Sequence, residues 1–316
     1  METNIIYNEN CLTGLKQLPD NSVDCCITSP PYFNLRDYGC KEQIGLEDTP
    51  EQYIQSLVAV FEEVHRVLAP EGTLWVNIGD SYAGSGKGGA CYPDNAKQYK
   101  QGTNRGTIDV PATAKRYTGY KPKDLIGIPW MLAFALRASG WYLRQDIIWA
   151  KPNPMPESVK DRCTKSHEYI FLLSKSPKYY FNSEAIQEPS TTQGAAEGYK
   201  TRYGGKKYTE TPDKFFRTKS GNAYVHRDFR NKRDIWTVPT QPIPDAHFAT
   251  YPERLIIDCI RAGCPENGIV LDPFMGSGTT AVVARKNNRR YIGFELNPDY
   301  IDIANRRLRK ELGLFI

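Results

Sequence analysis

Hydrophobic positions in the first 80 residues alternate between short unbroken runs and a longer stretch at helical spacing, the pattern of a βαβαβ segment. Asn4 to Tyr7 reads as a short strand, Leu12 to Leu18 as a helical turn or two, and Val23 to Thr28 as a buried parallel strand. Thr49-Pro50-Glu51 has the form of a helix start, with a capping threonine and proline at the first helical position. Tyr53, Ile54, Leu57, Val58, Phe61, Val64 and Leu68 follow at helical spacing until Gly72 stops the run. Thr73 to Ile78 reads as a further strand, ending at Asp80.

Residues 81–124 are polar and broken by Gly84, Gly86, Gly88 and Gly89. A loop this long inside a compact domain is usually functional or disordered. Order returns with a helix near Pro129 to Ala138 and two strand-like runs, Tyr142 to Trp149 and Glu168 to Ser174. From 184 to 240 the periodicity dissolves into basic, aromatic-rich sequence, read as an inserted subdomain or extended loop system. The βαβ character then resumes. Pro252 to Ala262 reads as a helix, Gly268 to Leu271 as a strand, Thr279 to Lys286 as a helix and Arg290 to Glu295 as a strand. Pro298 to Leu312 closes the pattern as an amphipathic helix. The class is α/β.

At 316 residues, 40% of them hydrophobic, the chain can form one large domain or two. No apolar stretch approaches the ~20 residues that a membrane helix needs, and the N-terminus lacks a secretory pattern. A soluble cytoplasmic protein is the expectation. The net charge of +5 hints at a polyanionic partner, and its distribution says more. Residues 81–124 hold eight Lys or Arg against three Asp, and residues 184–235 hold eleven against seven acidic residues. The eight cysteines are scattered without a C-x-x-C and the four histidines lie far apart, which favours buried free thiols and argues against a metal site.

Ser29-Pro30-Pro31-Tyr32 follows the Val23 to Thr28 strand, at the end where open α/β sheets place their ligands. Two prolines end the strand and leave carbonyl oxygens unpaired. The Ser29 hydroxyl and Pro30 carbonyl then offer acceptors beside the aromatic face of Tyr32, a set suited to a flat group with an exocyclic amine. A plain edge turn fits the same residues equally well.

The segment Asp272-Pro273-Phe274-Met275-Gly276-Ser277-Gly278-Thr279-Thr280 is a strand end, a glycine-rich turn and a helix start. Glycines let backbone approach a ligand closely, and a helix N-terminus offers unpaired N–H groups. A phosphate loop would require lysine where Thr279 stands. Gly276-x-Gly278-x-x-Ala281 matches the dinucleotide pattern, with Glu295 at a workable distance for ribose hydroxyls, but Asp-Pro-Phe-Met intervenes between strand and glycine. The third reading is S-adenosylmethionine, with Asp272 meeting the methionine ammonium and Glu295 the ribose. A tight turn with a surface glutamate is the bland alternative.

Taken together and in this order, Ser-Pro-Pro-Tyr and Asp-Pro-Phe-Met-Gly-Ser-Gly-Thr-Thr resemble the amino-group DNA methyltransferases of the circularly permuted β class. The resemblance extends to Asn8-Glu9-Asn10-Cys11, to Trp149-Ala150-Lys151-Pro152-Asn153 and to Ala246-His247-Phe248-Ala249-Thr250-Tyr251-Pro252. It implies a Rossmann-like, circularly permuted methyltransferase fold with an inserted DNA-recognition region. Residues 1–183 would form the catalytic half with its basic loop 81–124, residues 184–240 the target-recognition insertion, and residues 241–316 the cofactor half. It also implies that Ser29, Pro30, Pro31 and Tyr32 hold the target base. Asp272, Pro273, Phe274, Gly276, Ser277, Gly278, Thr279 and Thr280 would serve S-adenosylmethionine, with Glu295 at the ribose and Phe248, Ala249 and Thr250 at the methionine end. Asn10 stands where the family commonly has aspartate near the adenine ring.

The implied reaction is direct in-line transfer to an exocyclic amine of a base flipped out of the duplex. No cysteine follows a proline, so the nucleophile of carbon-5 cytosine methyltransferases is absent. Serine before Pro-Pro goes mostly with N4 of cytosine in this family, and aspartate or asparagine with N6 of adenine. Asp80 is a candidate to accept a proton or order a water, or simply to cap a loop. Lys206, Lys207, Arg227, Arg230, Lys232 and Arg233 are candidate contacts to double-stranded DNA. A homodimer and a cognate restriction endonuclease are partners that the resemblance leaves open. An NAD-dependent oxidoreductase, the competing class, offers no role for Ser29 to Tyr32. An RNA or protein methyltransferase, or a catalytically silent DNA-binding relative, is the third alternative.

Overall fold

The computed structural model describes residues 2–83, 119–190, 215–217, 223–225, 229–241 and 251–313. Its first half runs β1 (Ile5–Asn8), α1 (Cys11–Gln17), β2 (Val23–Thr28), α2 (Pro50–Val67), β3 (Leu68–Ile78), α3 (Ile128–Ala138), β4 (Tyr142–Ala150) and β5 (His167–Ser174). Short strands follow: β6 (Glu188–Pro189), β7 (Phe215–Arg217), β8 (Ala223–Val225), β9 (Phe229–Arg230) and β10 (Ile235–Thr237). The chain then continues through α4 (Glu253–Gly263), β11 (Ile269–Asp272), α5 (Thr279–Lys286), β12 (Arg290–Glu295) and α6 (Pro298–Leu312).

One sheet organises these elements, in the order β1-β12-β11-β2-β3-β5-β4-β10. The first five of these strands are mutually parallel, β5 runs antiparallel between β3 and β4, and β10 lies parallel to β4. Side chains alternate across the strands. Leu74, Val76, Phe171 and Leu173 join Leu57, Phe61, Val64 and Leu132 of α2 and α3 in one core. Helices α4, α5 and α6 pack on one another and α4 contacts β2 and β3. Phe61 has no exposed surface. Phe61→Ala is expected to cost about 3–5 kcal/mol, because the helix cannot collapse into the space left; chemical denaturation measures it.

Two boundaries depart from the sequence pattern. The apolar stripe predicts that α2 continues until Gly72, but the helix ends at Val67 on the extended backbone of Leu68. Leu68 pairs with Val23, so strand β3 starts there and passes through a register shift before Thr73 pairs with Cys25. The segment 184–240 does not stay outside the main sheet throughout, since Ile235–Thr237 form β10 against β4. The compact units are accordingly Met1–Phe181 with Asp234–Ile316, and Asn182–Arg233. The smaller unit carries the antiparallel pairs β6–β9 and β7–β8.

Cys11, Cys25, Cys26, Cys259 and Cys264 are buried free thiols, and burial pushes Cys11 up to about 12. Among the described residues no helix is long and apolar enough to cross a membrane.

Candidate active site

Strands β11 and β2 are neighbours, yet β11 leads through α5 to β12 on one side while β2 leads through α2 to β3 on the other. This divergence opens a crevice at their carboxyl ends, where an open α/β sheet binds its ligands. The Asp272 to Thr280 loop and the Ser29 to Tyr32 turn both leave the sheet here. Leu271 pairs with Cys26, which sets the two strand ends level. The Thr28 hydroxyl then donates to Asp272 Oδ1 at 2.6 Å, tying one motif to the other.

Asp272 is 1% exposed. Besides Thr28 it accepts from the Phe274 amide at 3.0 Å, the Thr280 hydroxyl at 2.5 Å and the Tyr251 hydroxyl at 3.1 Å. Burial pushes its carboxyl above the ordinary value, and these donors offset that only in part. Protein donors thus surround the Asp272 carboxylate, which holds the loop in shape.

Gly276 and Gly278 have left-handed backbone, with φ of +52° and +79°. A Cβ on Gly278 would lie 2.6 Å from the Ala304 Cβ on α6, so this turn tolerates no side chain. A Cβ on Gly276 would meet only the Phe274 carbonyl, at 3.9 Å, and would project into open space. Ser277 and Thr279 face inward instead: Arg307 donates to the Ser277 carbonyl at 2.8 Å, the Ser277 hydroxyl at 3.3 Å and the Thr279 hydroxyl at 3.0 Å. Pro273, Ser277, Gly278, Thr279 and Thr280 are buried, which leaves Phe274 and Gly276 as the partly open positions of the loop. The side chains of Ser277, Thr279 and Thr280, expected to serve a cofactor, therefore shape the turn from within.

Glu295 ends β12 beside this turn. It accepts from the Gly276 amide at 2.8 Å and the Asn297 amide at 2.9 Å. Burial, and more weakly the charge of Asp272, raise its carboxyl above the ordinary value. A carboxylate has about four lone-pair sites, so Glu295 keeps acceptor capacity for a pair of hydroxyls. That capacity and the open space at Gly276 fit the ribose of S-adenosylmethionine. Asn10 plays a structural part. Its Oδ1 caps α1 by accepting from the Leu12 amide at 2.9 Å, and its Nδ2 donates to Glu42 at 3.0 Å. An adenine contact from its side chain would have to displace one of these bonds.

On the other side of the crevice, the Tyr53 hydroxyl of α2 donates to the Pro31 carbonyl at 2.8 Å and fixes the turn. Among the described residues, no backbone donor reaches the Pro30 carbonyl. The Tyr32 hydroxyl donates to Glu168 Oε2 at 2.6 Å, and Ser29 is a further hydrogen-bonding neighbour of that phenol. Burial, reinforced by the Glu168 charge, keeps Tyr32 protonated well above the ordinary phenol range. Asp80 takes the capping role. Its Oδ1 accepts from the amides of Ser81 at 2.9 Å and of Gly127 and Ile128 at 3.0 Å, closing the start of α3. These three bonds all fall on Oδ1.

In the smaller unit, Arg230 and Arg233 both donate to Glu188 Oε1, at 2.8 and 2.7 Å. Lys232 is half-buried. Lys206, Lys207, Arg227, Phe248, Ala249 and Thr250 lie outside the described residues. Glu168, Thr28, Tyr251 and Arg307 belong to the site, although the sequence does not single them out. Tyr251 and Lys151 do fall within segments of the family resemblance, and a charged Glu168 heading an apolar strand is an unusual placement.

Comparison with known proteins agrees with this geometry. The N6/N4 DNA methylase family model matches residues 23–306. The chain is 47% identical over 306 residues to the Type II methyltransferase M.Cfr9I of Citrobacter freundii, covering 97% of this chain and 88% of that protein. It is 45% identical over 295 residues to the Type II methyltransferase M.SmaI of Serratia marcescens, covering 93% and 87%. In fold it is similar to the PvuII DNA methyltransferase (cytosine-N4-specific), with a TM-score of 0.63 at 17% identity over 97% of this chain and 86% of that one. A second similar structure is a putative DNA modification methylase of Thermus thermophilus complexed with S-adenosyl-L-methionine, with a TM-score of 0.58 at 22% identity, covering 97% and 93%.

Proposed function

Because the chain belongs to the N6/N4 DNA methylase family, we propose that it transfers a methyl group from S-adenosylmethionine to the N4 amine of cytosine within a specific DNA sequence. The observation that carries this reading is the meeting of the acceptor turn and the glycine loop in one crevice, joined by the Thr28–Asp272 hydrogen bond. Serine at position 29, the first residue of the turn, is what favours cytosine over adenine.

S-adenosylmethionine, held by Glu295 and the Phe274–Gly276 stretch, supplies an electrophilic methyl group. The remaining work falls to the chain. A base amine is a poor nucleophile because its lone pair is conjugated into the ring. The Ser29 hydroxyl oxygen and the Pro30 carbonyl accept its two N–H bonds, which favours pyramidal nitrogen and aims the lone pair. Tyr32 stacks on the ring and offsets part of the few kcal/mol needed to flip the base from the duplex. The methyl carbon would leave the sulfonium sulfur as it bonds to nitrogen, releasing a neutral thioether, and the surplus amine proton would pass to solvent. Positioning and fixed dipoles account for the acceleration, with no covalent enzyme intermediate.

The basic stretches 81–124 and 184–240 are proposed to supply the DNA contacts. Neutralising Lys206, Lys207, Arg227, Arg230, Lys232 and Arg233 together should flatten the salt dependence of DNA binding, since each phosphate contact adds to that slope. The cytoplasm is the proposed location. A second copy of the chain and a cognate restriction endonuclease are further proposed partners, which sedimentation and co-purification from the native host address.

The raised carboxyl of Glu295 gives a pH signature. An acid whose value is raised collects its proton at a higher pH, and the protonated form accepts hydroxyl groups poorly. S-adenosylmethionine affinity should thus decline on acidification before the pH reaches the ordinary glutamate value of 4.5. Glu295→Gln should bind more weakly and show no such decline, as read by titration calorimetry.

The function itself is tested by incubating the protein with diverse DNA and methyl-labelled S-adenosylmethionine, then separating nucleosides. Label in N4-methyl-2′-deoxycytidine is the expected product. Label in N6-methyl-2′-deoxyadenosine would move the target to adenine, and label in neither would sink the reading.

A further inference from the structure

Behind the Ser29–Tyr32 turn lies a charged cluster with no part in the chemistry described so far. Glu168, at the start of β5, accepts from the Tyr32 hydroxyl at 2.6 Å and from Asn77 Nδ2 at 3.3 Å on Oε2. Its Oε1 is paired with Lys151, just past the end of β4. The two side chains are only 14% and 17% exposed. The Lys151 ammonium also stands 4.2 Å from the centre of the Trp149 ring, and Trp149 is itself anchored by its Nε1 donating to the Val238 carbonyl at 2.7 Å. An ion pair this enclosed costs desolvation and is weak evidence of a stabilising role. What it does supply is a carboxylate that cannot swing away.

The neighbouring backbone is cut to fit. Gly79 follows β3, and a Cβ there would sit 2.8 Å from Tyr32 Cε2 and 3.4 Å from both Glu168 Cγ and Cδ. Only glycine lets the Tyr32 ring lie against the strand end with its hydroxyl on Glu168. Asn77 closes the remaining side, with its Oδ1 3.4 Å from the Tyr32 hydroxyl and its Nδ2 also donating to the Tyr169 carbonyl at 3.1 Å. The ring is therefore held at its far end by a carboxylate that is in turn held by a lysine just beyond another strand.

We propose that Glu168, clamped by Lys151, is a positioning residue that fixes the plane of the Tyr32 ring and so presets where a flipped base comes to rest beside Ser29 and Pro30. The inference rests on the proposed methyl transfer to a base amine. Glu168 touches neither base nor cofactor; it acts through Tyr32. Stacking restrains a base along the ring normal but leaves it free to slide if the ring itself rocks. A ring tethered at its hydroxyl removes that freedom before DNA arrives, and small misplacements of a reacting group are costly.

A double-mutant cycle on the full-length protein tests this, with the methylated site first located by mapping modified bases in DNA from expressing cells. Single-turnover methylation is measured at saturating DNA and S-adenosylmethionine for the wild type, Glu168→Gln, Tyr32→Phe and the double variant. Each single variant should slow transfer by about 10- to 100-fold, and the double should be no slower than the worse single, because Tyr32→Phe deletes the tether and Glu168→Gln reduces it to a neutral acceptor without its Lys151 clamp. S-adenosylmethionine and DNA dissociation constants should stay near wild type, so the loss falls on the rate and not on binding. Glu168→Gln/Lys151→Gln removes both members of the buried pair together and should fold while keeping the loss. Multiplicative losses in the cycle would overturn the inference, as would a wild-type rate in the Glu168→Gln/Lys151→Gln variant, which would mean that Glu168 only neutralises Lys151. A wild-type protein that methylates no base would overturn the underlying function together with it.

Discussion

Ser29→Ala should lower turnover by roughly 10²–10³-fold, the range seen when one preorganised polar partner of a reacting group is removed. The direct cause is the loss of one of two oxygens that take the amine hydrogens. The backbone is expected to hold, because the Tyr53 hydroxyl grips the Pro31 carbonyl independently of residue 29. Affinity for S-adenosylmethionine should stay within a few-fold of wild type, since the cofactor loop is organised by Asp272 and Glu295. Single-turnover methyl transfer and a calorimetric titration make the comparison. Equal loss of rate and cofactor affinity would show that Ser29 is a structural residue and that the acceptor pair lies elsewhere.

Asp272→Ala should do the opposite, removing cofactor binding and stability together. The carboxylate accepts from Thr28, Thr280, Tyr251 and the Phe274 amide. Without it these donors are left in a dry site, at about 1–3 kcal/mol for each group that finds no other partner. Asp272→Asn should be milder. Burial raises its carboxyl value, so losing the charge costs the fold less than losing the side chain, and the hydroxyl partners can turn to accept from an amide. The sign follows: as pH falls through the raised value towards 3.8, the folded wild type takes up its proton before the unfolded chain does and gains stability. Asp272→Asn lacks that gain. Denaturation midpoints of the wild type and of Asp272→Asn should therefore move apart as the pH falls through the raised value, with the shift in favour of the wild type.

Much of the frame is legible because the pattern is unambiguous where strands and helices are fully buried. Val23–Thr28, Thr279–Lys286 and Arg290–Glu295 have the bounds that their apolar runs predict. Leu68 misleads because it completes the helical stripe of α2 and also opens β3; pairing with Val23 decides between the two. Asn10 and Asp80 have structural bonds that their place near a strand end does not reveal: Asn10 caps α1, and Asp80 accepts from the Gly127 and Ile128 amides at the start of α3. The Tyr32–Glu168 contact joins residues 136 apart in the chain. No local spacing encodes it, since it exists only once β5 has been laid beside β3. Asp272 is legible as a site residue but its role is not, because the hydroxyls that enclose it come from β2, from α5 and from Tyr251 just ahead of α4.

The strand order carries a consequence for biosynthesis. Strands β11 and β12 come late in the chain but sit between β1 and β2, which come first. While the chain emerges from the ribosome, β2 therefore waits with one edge unpaired, and β1 has no neighbour at all. Such edges invite pairing with other chains until they are covered. The crevice, too, cannot exist before residue 272 reaches residue 28. Nascent chains and fragments lacking β11 and β12 are thus expected to be inert, and the capacity to mark DNA switches on as a single late event of folding.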